Sequence, residues 1–187
     1  IPVGGDAAPI WVEATSDLVG VHVDMPAPLG KPADDVAIVN YVHTFHSDGD
    51  KVDIQVEEDV IAALKTIDGE LIGGRLHFGN TPLGVVTFDR FDVTGSLDYV
   101  KYEDWERLFE SIQGESNVSI ESELANQLRA IEIDITDLSA FGVELENVRT
   151  YITRKDLAWS VGLRNEMLSG IIDVPDLDSE PLKISLD

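Results

Sequence analysis

Cysteine is absent from this chain of 187 residues. A disulfide framework, a thiolate metal centre and a cysteine nucleophile are therefore excluded. Basic residues are also scarce, since 13 lysines and arginines stand against 36 aspartates and glutamates. A nucleic-acid-binding groove needs clustered lysine and arginine side chains to displace counterions from phosphates. We therefore expect no contact with nucleic acid.

Long apolar runs are missing as well. No stretch of about 18 apolar residues occurs, so the sequence predicts no membrane-spanning helix. The first thirty residues lack the basic start and the apolar block of a signal peptide. Neither a glycine-rich phosphate-binding loop nor a Gly-x-Ser-x-Gly turn is present. These absences leave the sequence without a motif for nucleotide binding or for serine hydrolase chemistry.

The acidity of the chain is its strongest compositional feature. The formal net charge is -23 and the isoelectric point is about 4.2. In dilute buffer such a charge repels itself and destabilises a compact domain, whereas molar salt shortens the Debye length to about 3 Å. The acidic residues are dispersed, with no run of five or more like charges. The composition indicates a protein of a halophile; a mesophilic acidic protein or a calcium binder is the alternative.

Alternation of apolar and polar residues predicts a mainly β protein. The predicted strands number about a dozen at the close spacing typical of sandwiches and barrels. They are Ile10–Ala14, Leu18–Asp24, Val36–Phe45, Val52–Val56, Glu70–Phe78, Val85–Val93, Val118–Leu124, Ile131–Ile135, Thr150–Thr153, Leu157–Leu163, Ile171–Val174 and Leu182–Leu186. We predict one domain over residues 1–187, a jelly-roll-like β-barrel or sandwich of antiparallel strands.

Two segments depart from this alternation and predict short helical insertions. Glu58–Asp68 places its apolar side chains on one helical face and is followed by Gly69. Tyr102–Gln113 does the same and is followed by Gly114. A glycine directly after a helical pattern is a common C-terminal stop.

Candidate chemistry is concentrated in residues 41–56, YVHTFHSDGDKVDIQV. His43 and His46 are three residues apart, so on one strand they point to opposite faces and cannot share a metal ion without a bend. Ser47–Lys51 contains the Asp-Gly pair that favours a hairpin turn. We interpret the stretch as two strands joined by a turn, with a weak cation site at the turn as the alternative.

No residue is assigned a catalytic, cofactor-binding or metal-binding role. His22 and His77 each lie inside an alternating segment, where a lone histidine is usually solvent-facing or singly hydrogen-bonded. Asn117 begins an Asn-Val-Ser triplet, which is a glycosylation sequon but one that occurs often by chance. Trp11, Trp105 and Trp159 are suited to a core or an interface.

The size of 20.5 kDa, the lack of cysteine, the acidity and the dozen short strands resemble the smaller major capsid protein of icosahedral, internal-membrane viruses that infect haloarchaea. The resemblance implies a non-enzymatic capsid subunit of the virion, an upright single jelly roll that packs with copies of itself and a larger related capsid protein. It also implies proximity to a viral membrane without insertion. The alternatives are a halophilic enzyme or ligand-binding barrel with a metal at His43, His46 and Asp48, and a haloarchaeal surface module.

Overall fold

The computed structural model describes residues 9–107, 127–155, 158–175 and 183–186. Within them the chain is mainly β, as the alternating pattern predicts. The strands are β1 Ile10–Ser16, β2 Val39–Phe45, β3 Asp50–Val56, β4 Val60–Ile67, β5 Glu70–Phe78, β6 Phe91–Lys101, β7 Leu128–Ala140, β8 Val143–Lys155, β9 Ala158–Arg164, β10 Ser169–Pro175 and β11 Lys183–Leu186. No helix of the described residues has the length and apolarity to cross a membrane.

All eleven strands form one sheet, and their order in the sheet is their order in the sequence. Strands β1 to β5 pair antiparallel, as do β7 to β11, whereas β6 runs parallel to both of its neighbours. A jelly roll instead places strands that are distant in sequence side by side. The described strands therefore do not show jelly-roll connectivity.

The predicted helix Glu58–Asp68 is wrong, because most of this segment is strand β4. Asp68 and Gly69 both have positive φ, at 54° and 86°, and they form the tight turn between β4 and β5. Asp-Gly is a preferred pair for the turn of a two-residue hairpin, so the glycine ends a strand and not a helix. Long-range pairing with β3 and β5 overrides the helical spacing of the apolar side chains.

The second predicted helix, Tyr102–Gln113, is helical over residues 102–107. Its remaining residues lie outside the described ranges, and so do the predicted strand Val118–Leu124 and Asn117. The structure accordingly shows a short helix of six residues at the start of this segment and does not describe the rest.

The predicted strand Leu18–Asp24 is a loop, apart from an isolated bridge between Val23 and Lys31. The ammonium group of Lys31 donates to the carbonyl oxygens of Leu18, Val21 and Pro32 at 2.7–2.9 Å. Lys31 thus supplies the hydrogen-bond donors that these backbone carbonyl groups would otherwise find on a neighbouring strand.

The sheet has one apolar face and one polar face, as its registers show. Val60 lies opposite Phe78, and Ile135 lies opposite Val148, so these side chains share the apolar face. The core cluster lies over the central strands and consists of the buried residues Val60, Phe78, Ile133, Ile135, Leu138 and Val148. The opposite, polar face carries Arg75 and His77 on β5.

A buried ionic cluster holds the crossover between β5 and β6 on the polar face. Parallel strands need a long crossover, which here comprises residues 79–90. The Arg75 guanidinium donates to the carbonyl oxygens of Leu83 and Val85 in that crossover, at 3.2 and 3.1 Å. It also lies 3.6 Å from the Asp92 carboxylate, which accepts a 3.1 Å hydrogen bond from Arg90. The predicted strand Val85–Val93 is therefore mostly crossover, and β6 begins at Phe91.

Candidate interaction surface

His43 is engaged through both nitrogens of its ring. Its Nδ1 lies 3.1 Å from the Tyr41 hydroxyl, and its Nε2 lies 3.2 Å from an Asp50 carboxylate oxygen. The ring also stacks on Phe45, with 4.1 Å between the centroids. With Tyr41 as donor and Asp50 as acceptor, no ring nitrogen remains for a metal ion or a substrate. The cluster fixes the start of the β2–β3 hairpin, consistent with its interpretation as two strands and a turn.

His46 and Asp48 lie apart from that cluster, in the exposed turn between β2 and β3. Asp48 forms a 3.0 Å ion pair with Lys65, and the hydrogen bond and charge of Lys65 hold the pKa of this carboxyl below its usual range. Within the part of the chain that the structure describes, no group of three or more histidine, aspartate or glutamate side chains is placed to hold a metal ion. The geometry therefore gives no support to the metal-binding alternative.

We expect His43→Ala to reduce the free energy of unfolding by about 1 kcal/mol, because two hydrogen bonds and a ring contact are lost. His46→Ala should change it by no more than about 0.5 kcal/mol, as at an ordinary surface position. Denaturant unfolding in molar NaCl, with and without zinc chloride, measures both effects. A zinc-dependent stabilisation that either substitution abolishes would contradict this assignment.

The other two histidines have different surroundings. His77 is buried, with Nδ1 3.0 Å from the Thr94 hydroxyl and Nε2 2.8 Å from the Thr81 hydroxyl. Burial, and then the charge of Arg75, lower the pKa of His77. It is therefore a neutral packing residue that connects β5 to β6 and to the crossover. His22 is exposed in the loop before β2.

A groove of about 610 Å³ lies on the polar face over β6 to β9. The Arg149 guanidinium donates to both carboxylate oxygens of Asp134, at 2.6 and 3.1 Å, and this pairing raises the pKa of Arg149. Arg164 and Glu166 also line the groove, so its formal charges cancel. No histidine lines it. The groove thus lacks a histidine and a net charge that would select an ionic ligand, and its Asp134 carboxylate is occupied by Arg149.

Strand β1 is the most exposed apolar element of the described sheet. All seven of its residues are exposed, and it pairs only with β2. Ile10, Trp11 and Val12 retain 71%, 64% and 52% of their accessible surface. Ile10 lies opposite Phe45, which is 41% exposed, so the apolar strip extends onto β2. We call β1 together with Phe45 the β1 edge.

The β1 edge is also nearly free of charge. Among the fourteen residues of β1 and β2, Glu13 is the only one with a formal charge. The whole chain, in contrast, carries -23. Two copies can therefore approach each other at this edge with less repulsion than an average acidic surface produces.

Exposed apolar side chains are numerous over the described residues as a whole. Eighteen large apolar side chains are exposed, whereas eight apolar residues are buried. Single exposed apolar residues are ordinary, but a contiguous strip usually marks an interaction site. Half of the eighteen lie between Ile10 and Phe45. The candidate functional site is consequently a surface and not a pocket.

No protein-family model matches the chain, and no curated protein or solved structure shows significant similarity to it. Sequence reasoning predicted a strand at Ile10–Ala14 but missed its exposure. One signal was present in the sequence: residues 36–46 contain no aspartate, glutamate, lysine or arginine, which is unusual in so acidic a chain.

Proposed function

We propose that this protein is a structural subunit, a capsid protein of a halophilic virus that assembles with copies of itself in high salt. One observation carries the proposal: the described residues expose more large apolar side chains than they bury, and half of the exposed ones lie between Ile10 and Phe45 in the sequence. A chain that functions alone has no need for such a surface.

The sheet architecture explains why partners are needed. In the part of the chain that the structure describes, close contacts between strands run mainly between sheet neighbours, and no second sheet packs on the apolar face. Burial of apolar side chains against a second molecule is favourable by about 25 cal/mol for each Å² removed from water. In molar salt this gain persists while the repulsion between acidic surfaces is screened.

The finer features of the capsid hypothesis are an upright jelly roll, a larger partner protein and a position above a viral membrane. The sequence-order pairing of the strands does not favour the jelly-roll connectivity. The proposal accordingly retains the β-rich subunit, its self-association and its place in a virion shell. An enzyme is less well supported, because both ring nitrogens of His43 are occupied by hydrogen bonds and the Asp134 carboxylate in the groove is paired with Arg149.

A salt titration tests the proposal. Lowering the salt from about 1 M to about 0.1 M lengthens the Debye length from about 3 to about 10 Å, so carboxylates on adjacent subunits begin to repel one another. We expect light scattering to show assemblies in molar NaCl, and to show their dissociation at a higher salt concentration than the one at which circular dichroism reports unfolding. A monomer in molar NaCl that stays folded as salt is removed would contradict both self-assembly and halophilic adaptation.

A further inference from the structure

The two ends of the described sheet differ in how well they are protected against pairing with another strand. Proteins usually blunt an edge with a very short strand, a charge, a proline or a bulge. Strand β11 has four residues and covers only Gly170–Asp173 of β10. Strand β1 has seven residues, contains neither lysine nor proline, and pairs with β2 without a bulge.

We propose that β1 pairs with β1 of a second copy of this chain, antiparallel and about a two-fold axis, so that two sheets become one. The inference rests on the proposed self-assembly and names its contact. A second copy is the occupant that the charges favour, because a pair of β1 strands brings only one carboxylate from each copy, Glu13, to the contact, although each chain carries a net charge of -23. The outward N–H and C=O groups of β1 supply the hydrogen bonds.

The sequence of β1 also selects a register. An antiparallel pair centred on Glu13 would set the two Glu13 carboxylates directly opposite each other, which is unfavourable. A pair centred on Val12 sets Glu13 opposite Trp11 of the second copy and Ile10 opposite Ala14. Ile10, Val12 and Ala14 lie on the apolar face of β1, so this register joins the apolar faces of the two sheets.

Disulfide trapping tests the contact directly, because the chain has no cysteine of its own. In the proposed register, the cysteine introduced by Val12→Cys lies directly opposite the same cysteine of the second copy. Directly opposed side chains on paired strands have about 4.5–5.5 Å between their Cβ atoms. Thr15→Cys is the matched control on the same strand. In the proposed register the two introduced cysteines would lie about six residues apart along the paired strands, or about 20 Å at about 3.4 Å per residue. We expect Val12→Cys to crosslink at least about tenfold faster than Thr15→Cys in molar NaCl under mild oxidation.

A second pair of variants tests the edge without a crosslink. Val12 and Ile171 are equally exposed, at 52%, but Ile171 lies on β10. Val12→Lys should weaken self-association at least about tenfold, since it places a charge in the apolar strip. Ile171→Lys should leave it unchanged. Circular dichroism shows whether each variant remains folded.

The possible failures are distinguishable. If the parent chain assembles in molar NaCl but Val12→Cys and Thr15→Cys crosslink equally slowly, the β1 contact is wrong and the proposed function stands. Faster crosslinking of Glu13→Cys than of Val12→Cys overturns the register. A disulfide between Val12→Cys and Ser185→Cys of β11 overturns the two-fold pair in favour of head-to-tail chains. A parent chain that is monomeric in molar NaCl overturns the proposed function itself.

Discussion

Replacing Phe78 by alanine should lower the free energy of unfolding by about 3–5 kcal/mol. Phe78 is only 3% exposed, at the end of β5, and it belongs to the core cluster with Val60, Ile133 and Val148. A sheet with so few buried apolar residues has little other packing to compensate for the cavity. The change is measured as the shift of the urea midpoint in molar NaCl, where the fold is expected to be most stable.

Phe45→Ala is the matched control for this substitution. The same side chain is removed, but from a position that is 41% exposed at the β1 edge. We expect a loss of less than about 1.5 kcal/mol for the isolated subunit, because much of the residue already contacts water. Equal losses for the two variants would show that the core does not lie over the central strands.

Asp92→Ala should also lower the free energy of unfolding by about 3–5 kcal/mol, because it removes the carboxylate that pairs with the buried charge of Arg75. The Asp92 side chain is 6% exposed, and Arg75 beside it is 18% exposed. Without the carboxylate, the Arg75 guanidinium would remain poorly hydrated, with only the Leu83 and Val85 carbonyl oxygens as acceptors. We expect proteolysis of the crossover 79–90 to become faster along with the loss of stability.

Asp134→Ala provides the comparison for Asp92. Asp134 also accepts hydrogen bonds from an arginine, Arg149, but both side chains are more than half exposed. Exposed ion pairs contribute about 0–1 kcal/mol, and molar salt screens them further. A loss at Asp134 as large as that at Asp92 would contradict the assignment of a buried cluster at the crossover.

Local patterns in the sequence predicted much of the sheet. Glu70–Phe78 coincides with β5, and the Asp-Gly turn after His46 connects β2 to β3. Both features depend on residues close in sequence: alternation for the strand, and positive φ at Gly49 for the turn. The helix prediction for Glu58–Asp68 was wrong because the spacing of its apolar residues suits a helix as well as a strand. Only its pairing with β3 and β5, which a local pattern does not contain, decides between them.

The candidate site was less accessible to prediction. The exposure of Trp11 and Val12 depends on which strand lies at the end of the sheet, and the strand order is a property of the whole chain. The Arg75 and Asp92 pair depends in the same way on the parallel alignment of β5 and β6. The sequence pattern did single out His43 as a candidate residue. Its hydrogen bonds to Tyr41 and Asp50 depend on the positions of side chains on two paired strands, which the pattern does not specify.

The sequence-order sheet also has a consequence for how the chain folds. Residues 17–38 join β1 to β2, but the antiparallel neighbours from β2 to β5 and from β7 to β11 are joined by much shorter connections. The loops that close when these hairpins form therefore cost little entropy. We expect β2–β5 and β7–β11 to form as separate hairpin units, and β1 to join the first unit once residues 17–38 have closed. Strand β6 is paired in parallel on both sides, so its pairing must wait until two longer connections, residues 79–90 and 102–127, have closed. The pairing of β6 with β5 and β7 is thus expected to be the slow step, because it joins the two antiparallel hairpin units into one sheet.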